Sequence, residues 1–297
     1  MRHIRHVPSL PWGPGPRRTA VRALVVLLVL ATGAACSTLG APGPDPGDAR
    51  AVQAKAALQQ TPAERAAAAR KWGVEQIPLL PPLPPAVKTH PATPDWAFQG
   101  ADLIPAFGSV PTTDKVVFLT IDDGGHKDPE FLQMVRDLHV PFTMFLTDEN
   151  VGGDYHYFNE LRALGNSIQN HTLKHPQLNH ESYERQREEI CGQQDILERE
   201  TGTRPRLFRP PYGDFDHDTL AIAEECGVQA APLWAEEAFA DRIDYREDDA
   251  RFHPGDIILT HFNGPEEWNG SMGDMLRLVL RKATEQGYAL ARLDDYV

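Results

Sequence analysis

The sequence predicts an α/β fold built around a parallel sheet, on two observations. From Val116 to the carboxyl end, apolar and β-branched runs alternate with helix-like stretches over short connections. That is the pattern of βαβ units rather than of a sandwich. The residues with chemical potential directly follow the strand-like runs, at the carboxyl ends where such sheets place their sites. The expected strands are residues 116–121, 142–146, 167–170, 207–209, 228–234, 257–261 and 289–293. The expected helices are 129–138, 157–164, 181–201, 216–226 and 271–286.

Taken in order, the chain opens with Arg2, Arg5, Arg17, Arg18 and Arg22, followed by an uncharged run over residues 23–35 that ends Gly33-Ala34-Ala35 before Cys36. A basic head, apolar middle and small-residue exit read as a signal peptide over residues 1–35. The run is shorter than the roughly 20 residues of a spanning helix. A cysteine after small residues, with a Ser, Gly and Pro-rich tether behind it, resembles the lipobox of bacterial lipoproteins, although Gly33 stands where that motif usually has Leu. The expectation is export, with a lipid on Cys36 holding the protein at the outer face of the cell membrane. The alternative is a secreted protein. Without residues 1–35 the chain has 24 basic against 42 acidic residues, a net charge of −18, which argues against nucleic acid as a partner.

Residues 36–95 read as a tether and Pro-rich linker. Within it, Thr61 as cap, Pro62 in the first turn and Glu64 mark the start of a short helix. Residues 78–95 carry seven prolines and read as an extended spacer. The folded, catalytic domain is placed at residues 96–297, long enough for a substantial core. Cys191 and Cys226 form an even pair for an exported chain, either a disulfide or two buried thiols.

Four stretches carry chemistry. Residues 116–125 form a buried strand ending Asp122-Asp123-Gly124-Gly125. Neighbouring strand residues face opposite ways, so both carboxylates reach one pocket only if the chain bends. Two carboxylates in one pocket remain ionised beside a cation. In Asn170-His171-Thr172-Leu173-Lys174-His175-Pro176, histidines four apart share one face of a helical turn that Pro176 ends. With Asp123 they offer a metal two imidazoles and one carboxylate, leaving open positions as in a catalytic site. In Phe208-Arg209-Pro210-Pro211-Tyr212-Gly213, Arg209 can hold a carboxylate through its guanidinium fork, and the stiff turn can aim the Tyr212 amide at an oxyanion. Finally, His261 ends the apolar strand 257–261, placed as a general acid.

In order and spacing these stretches resemble the polysaccharide deacetylase family, carbohydrate esterase family 4, also called the NodB homology domain. The resemblance covers roughly residues 115–295 and includes the lead-in 164–170 and Thr201-Gly202. It implies a distorted (β/α) barrel of about seven strands, binding one divalent metal, commonly zinc, with cobalt, nickel or manganese as alternatives. By that resemblance Asp122 is the general base and Asp123, His171 and His175 are the metal ligands. Arg209 pairs with the base, Tyr212 supplies the oxyanion donor, Leu259 walls the acetyl-methyl pocket and His261 is the general acid. Pro211 and Trp234 join the substrate-binding set. Two departures stand out. Ile121 replaces the usual Phe, and residues 233–239 keep in no recognisable form the Asp and Trp that the family places after the strand, with Glu237 and Phe239 as stand-ins.

The implied function is metal-dependent removal of N-acetyl groups from a GlcNAc-containing polysaccharide. The alternatives are an acetylxylan O-deacetylase and a glycan-binding lipoprotein without turnover. A non-haem iron oxygenase would also use two histidines and a carboxylate, but it leaves Asp122, Arg209 and His261 without a task.

Overall fold

The computed structural model describes residues 60–94, 97–98, 100 and 103–297. The expected signal peptide, Cys36 and the tether up to residue 59 lie outside the described residues. Helix α1 (Pro62–Lys71) begins as the sequence indicates. The Thr61 side chain accepts from the Glu64 amide, and the Glu64 carboxylate accepts from the Thr61 amide at 2.7 Å. This capping box satisfies two backbone donors that the first turn leaves orphaned. The segment behind α1 lies along the domain: Trp72 Nε1 donates to Asp137 at 2.8 Å, and the Thr89 amide donates to the Tyr296 carbonyl at 2.8 Å.

Strand β1 (Ala106–Phe107) is short, and β2 (Val116–Asp123) is the axis of the fold. Residues 116–122 are all buried, so β2 is covered on both faces, as its unbroken apolar run requires. Then come α2 (Pro129–Leu138), β3 (Thr143–Leu146), α3 (Asp148–Val151), α4 (His156–Ala163), β4 (Ser167–Asn170), α5 (Tyr183–Thr201) and α6 (His217–Glu225). The chain ends through β5 (Ala231–Pro232), β6 (Glu236–Ala238), β7 (Ile243–Tyr245), β8 (Ile257–His261), α7 (Met272–Glu285) and β9 (Ala289–Ala291).

The main sheet has seven strands, in the order β4-β3-β2-β8-β6-β7 with β9 also on β2. Every pairing in it is parallel except β6 with β7. Phe118 pairs with both β8 and β9, so these take opposite edges of β2, and β3 follows β9 along the same edge. A second parallel pair, β1 with β5, and single bridges from Asn170 to Phe208, Leu207 to Ala230 and Ser109 to Asp256 carry the curve onward. The result is a distorted barrel. Helices α2, α4 and α7 cover the sheet through Phe131, Phe158, Met275 and Leu276 in one apolar cluster.

The expected strand 142–146 begins one residue later, at Thr143, and three others come out shorter by two residues or more, each for a backbone reason. Residues 207–209 make two isolated bridges but no strand; Pro205, Pro210 and Pro211 around them lack the N–H a ladder needs. Residues 228–234 are mostly extended, but their amides alternate between neighbours: Gln229 donates to Arg206, Ala231 to Pro105 and Leu233 to Phe107. Only Ala231–Pro232 count as strand there. The last strand stops at Ala291 because residues 293–295 tighten into a 3₁₀ turn. The β6–β7 hairpin has no counterpart among the expected strands. Cys191 on α5 and Cys226, which caps α6, form a disulfide with Cα atoms 5.1 Å apart.

Candidate active site

The sheet register sets the site. Asp122 pairs directly with His261 on β8, and Thr120 pairs with Leu259. Paired residues on parallel strands project to the same side, so Asp122 and His261 rise together from the carboxyl end of the sheet. Asp123, next along, would point away. It enters the same pocket because its own backbone is left-handed, with φ 77°, and Gly124 follows at φ 97°. A side chain on Gly124 would meet Val151 at 2.9 Å as well as an unfavourable φ. The bend foreseen at the glycines therefore begins at the aspartate.

The two histidines do meet, but not on a helical turn. Residues 171–177 form an irregular loop after β4 with Thr172 at φ 70° and His175 at φ 58°, dihedrals no right-handed helix contains. The His175 amide donates to the Thr172 hydroxyl at 3.0 Å and the Thr172 amide to the Asn170 side chain at 2.8 Å. Side-chain acceptors thus replace the helical ladder. The outcome brings His171 Nε2 and His175 Nε2 to 3.1 Å. Asp123 Oδ1 stands 3.6 Å from the former and 3.4 Å from the latter.

Three observations fit these atoms to a divalent cation. Asp123, His171 and His175 each offer a ligating atom, all within 4.8 Å of one another. Asp123 Oδ1 is buried without a hydrogen-bond partner among the described residues, a costly state for a carboxylate that a cation would relieve. His171 Nδ1 lies 2.7 Å from the Arg209 carbonyl oxygen, which can only accept. The proton therefore sits on Nδ1, and the Nε2 lone pair faces the other two ligands. Burial pushes His171 down to about 3, keeping the ring neutral, the form that ligates. Two imidazoles and one carboxylate suit zinc.

Beneath them Asp122 is 2% exposed and Arg209 fully buried. Arg209 Nη1 donates to Asp122 Oδ1 at 2.8 Å and to the Thr120 hydroxyl at 2.8 Å. Nε donates to the Pro232 carbonyl at 3.0 Å and Nη2 to the Leu233 carbonyl at 3.1 Å. The expected two-pronged grip on the carboxylate is thus a single donor, because the Pro232 and Leu233 carbonyls take the donors on Nε and Nη2. Burial raises the Asp122 pKa, with Arg209 pulling against it. The free oxygen, Oδ2, is 3.6 Å from His171 Nε2.

The pocket above, about 680 Å³, is walled by Pro210, Tyr212, Trp234, Leu259 and His261, and further out by Phe239, Arg242, Trp268 and Asn269. Pro211 does not line it; Pro210 takes that wall and Pro211 is buried as the first residue of a 3₁₀ turn. Tyr212, at φ 62°, stands its ring 4.6 Å from that of His175. Glu237 Oε1 is 3.8 Å from His261 Nδ1. Burial raises Glu237, with His261 opposing. Phe239 lies under the Arg242 guanidinium at 3.8 Å and 6.4 Å from Trp268. Trp268 was not foreseen, since it sits in a loop between β8 and α7 outside every motif.

Residues 109–231 match the family described as polysaccharide deacetylase. An uncharacterized protein of Streptomyces coelicolor is 41% identical over 202 residues, 68% of this chain and 80% of its own length. A chitooligosaccharide deacetylase of Bradyrhizobium is 30% identical over 54% of this chain and 75% of that protein. The crystal structure of a peptidoglycan N-acetylglucosamine deacetylase, 27% identical, covers 64% of this chain and 92% of its own with a TM-score of 0.57. A family 4 carbohydrate esterase pseudoenzyme of Bacillus anthracis, 22% identical over 64% of this chain and 68% of its own, has a TM-score of 0.55, a likeness of fold alone.

Proposed function

The chain belongs to the polysaccharide deacetylase family, carbohydrate esterase family 4, and from that premise we propose that it removes N-acetyl groups from a GlcNAc-containing polysaccharide of the cell envelope with the help of one divalent metal. The observation that carries this is the convergence of Asp123, His171 and His175 on one point directly above the Asp122–Arg209 pair. Asp123, His171 and His175 would hold the metal, zinc by preference. When bound, it would polarise the acetamide carbonyl and ease deprotonation of the attacking water.

The remaining steps belong to the side chains. Asp122 is held by Arg209 with its second oxygen on the pocket side, and takes the proton from the attacking water. The Tyr212 amide, on the turn fixed by Pro210 and Pro211, stabilises the oxygen that gains charge. His261 delivers a proton to the departing amine, a poor leaving group without one. The Glu237 carboxylate stands beside that ring, 3.8 Å from His261 Nδ1. Leu259 and Trp234 shape the space for the acetyl methyl.

The Cys191–Cys226 disulfide supports a place outside the cytoplasm. It agrees with export and with anchoring through a lipid on Cys36, or with release if that cysteine is not acylated.

The test is acetate release from chitin oligomers, peptidoglycan fragments and acetylxylan, with a chelator and after zinc is restored. Acetate from the first two that stops with chelator and returns with zinc is expected. Acetate from xylan alone would make it an O-deacetylase. Glycan binding without acetate would make it a carbohydrate-binding protein.

A further inference from the structure

Both histidine ligands stand on one irregular loop whose backbone is left-handed at Thr172 and His175. Something outside the loop must hold it there, because neither residue type favours that conformation. Part of the support comes from the barrel. The His171 amide donates to the Leu146 carbonyl at 3.1 Å, and the Thr147 hydroxyl donates to the His171 carbonyl at 2.7 Å. The far half of the loop is held at the Leu173 carbonyl by the Glu149 amide of α3, at 2.9 Å, and otherwise leans on α5.

We propose that Glu189 on α5 is a positioning residue for the metal site: its carboxylate clamps the loop between the two histidines and keeps His175 in ligating position. Its Oε2 accepts the Lys174 amide at 2.8 Å, one residue before His175. The side chain is wholly buried, with its other oxygen taken by Arg185 one helical turn earlier. A buried carboxylate is costly unless its bonds are made, and both of these are. The same face of α5 is shaped to the loop. Asn170 Nδ2 donates to the Ile190 carbonyl at 2.9 Å and to Gln194 Oε1 at 3.0 Å. A side chain in place of Gly192 would come 2.8 Å from Leu173. The residues 189–194 thus form a seat for the ligand loop, and Glu189 provides its one charged contact with the loop backbone. Such outer partners tune metal affinity by fixing ligands in place.

This inference rests on the reading of Asp123, His171 and His175 as ligands, so the zinc content and zinc dissociation constant of the wild-type protein are measured first, by chelator competition. Wild-type protein that binds no zinc overturns both readings. Where it binds, Glu189→Ala is expected to weaken zinc about 10- to 100-fold. At saturating zinc its KM should stay near the wild-type value. Glu189→Gln keeps an oxygen for the Lys174 amide and should bind zinc within about threefold of wild type. Glu189→Asp keeps the charge beside Arg185 but draws the oxygen back from Lys174, and should resemble the alanine variant if the clamp is what matters. It also serves if Glu189→Ala does not fold. Amide exchange at Lys174 in metal-free protein should be slow in the wild type and fast in Glu189→Asp. Unchanged zinc affinity in Glu189→Asp, or a glutamine variant as weak as the aspartate one, overturns the proposal and leaves the ligand reading intact.

Discussion

In the proposed mechanism two adjacent aspartates divide the labour of the site, and backbone geometry is what separates them. Asp122 keeps the strand conformation and meets Arg209 and His261, whereas Asp123 turns at φ 77° to join the histidines. Asp122→Asn is therefore expected to lower kcat by about 10²–10⁴-fold, the worth of a general base, while bound metal stays near one per chain. Asp123→Ala should lose metal and activity together. Metal analysis and acetate assays on both variants check this; equal metal contents would put the division of labour wrong. The positions of Asp122 and His261 are legible because each ends an apolar run, which fixes direction as well as position; Asp123 and His175 take their directions from left-handed backbone that no apolar pattern announces. Trp268 and Arg242 were not legible, because they reach the pocket from a loop and a hairpin whose placement depends on pairing far along the chain. The fork grip expected of Arg209 failed for a similar reason: its other donors are claimed by the Pro232 and Leu233 carbonyls.

Helices were read well wherever caps and periodicity agree. α2 spans the expected residues, and α7 fills the expected span inside its two caps. Residues 171–177 depart from the helical turn that the histidine spacing predicts, because local side-chain acceptors win over the helix there. The start of α7 offers a test of capping. Ser271 accepts from the Asp274 amide and Asp274 accepts from the Ser271 amide at 2.9 Å, with Arg277 on the other carboxylate oxygen at 2.7 Å. The Arg277 bond, with the Ser271 amide, lowers Asp274 to about 2. A depressed carboxyl stabilises the folded state above its unfolded value, near 4, and loses that contribution as pH falls toward 2. Ser271→Ala is expected to cost about 1 kcal/mol at neutral pH. Asp274→Asn should destabilise at pH 7 but leave stability near pH 2 little changed, as denaturation midpoints at the two pH values will show. An equal loss at both would mean that the carboxylate charge is not what caps the helix.

At the scale of the molecule, the parallel sheet was legible from alternation, but its closure was not. Residues 207–208 and 230–232 close the barrel through bridges and short pairs, which prolines hold below strand length. The antiparallel β6–β7 hairpin brings Phe239 and Arg242 to the pocket at the point where the sequence departs from its family. The disulfide was legible as a possibility from an even cysteine pair, and the packing of α5 on α6 makes it one. What the whole fold achieves is to bring residues from the ends of β2, β4 and β8 and the turn at Arg209 to one point. Diffraction at the zinc absorption edge from zinc-loaded crystals tests that most directly. The account predicts one strong anomalous peak about 2.0–2.2 Å from Asp123, His171 and His175 together. A peak held by other residues, or none at these three with zinc in excess, would contradict it.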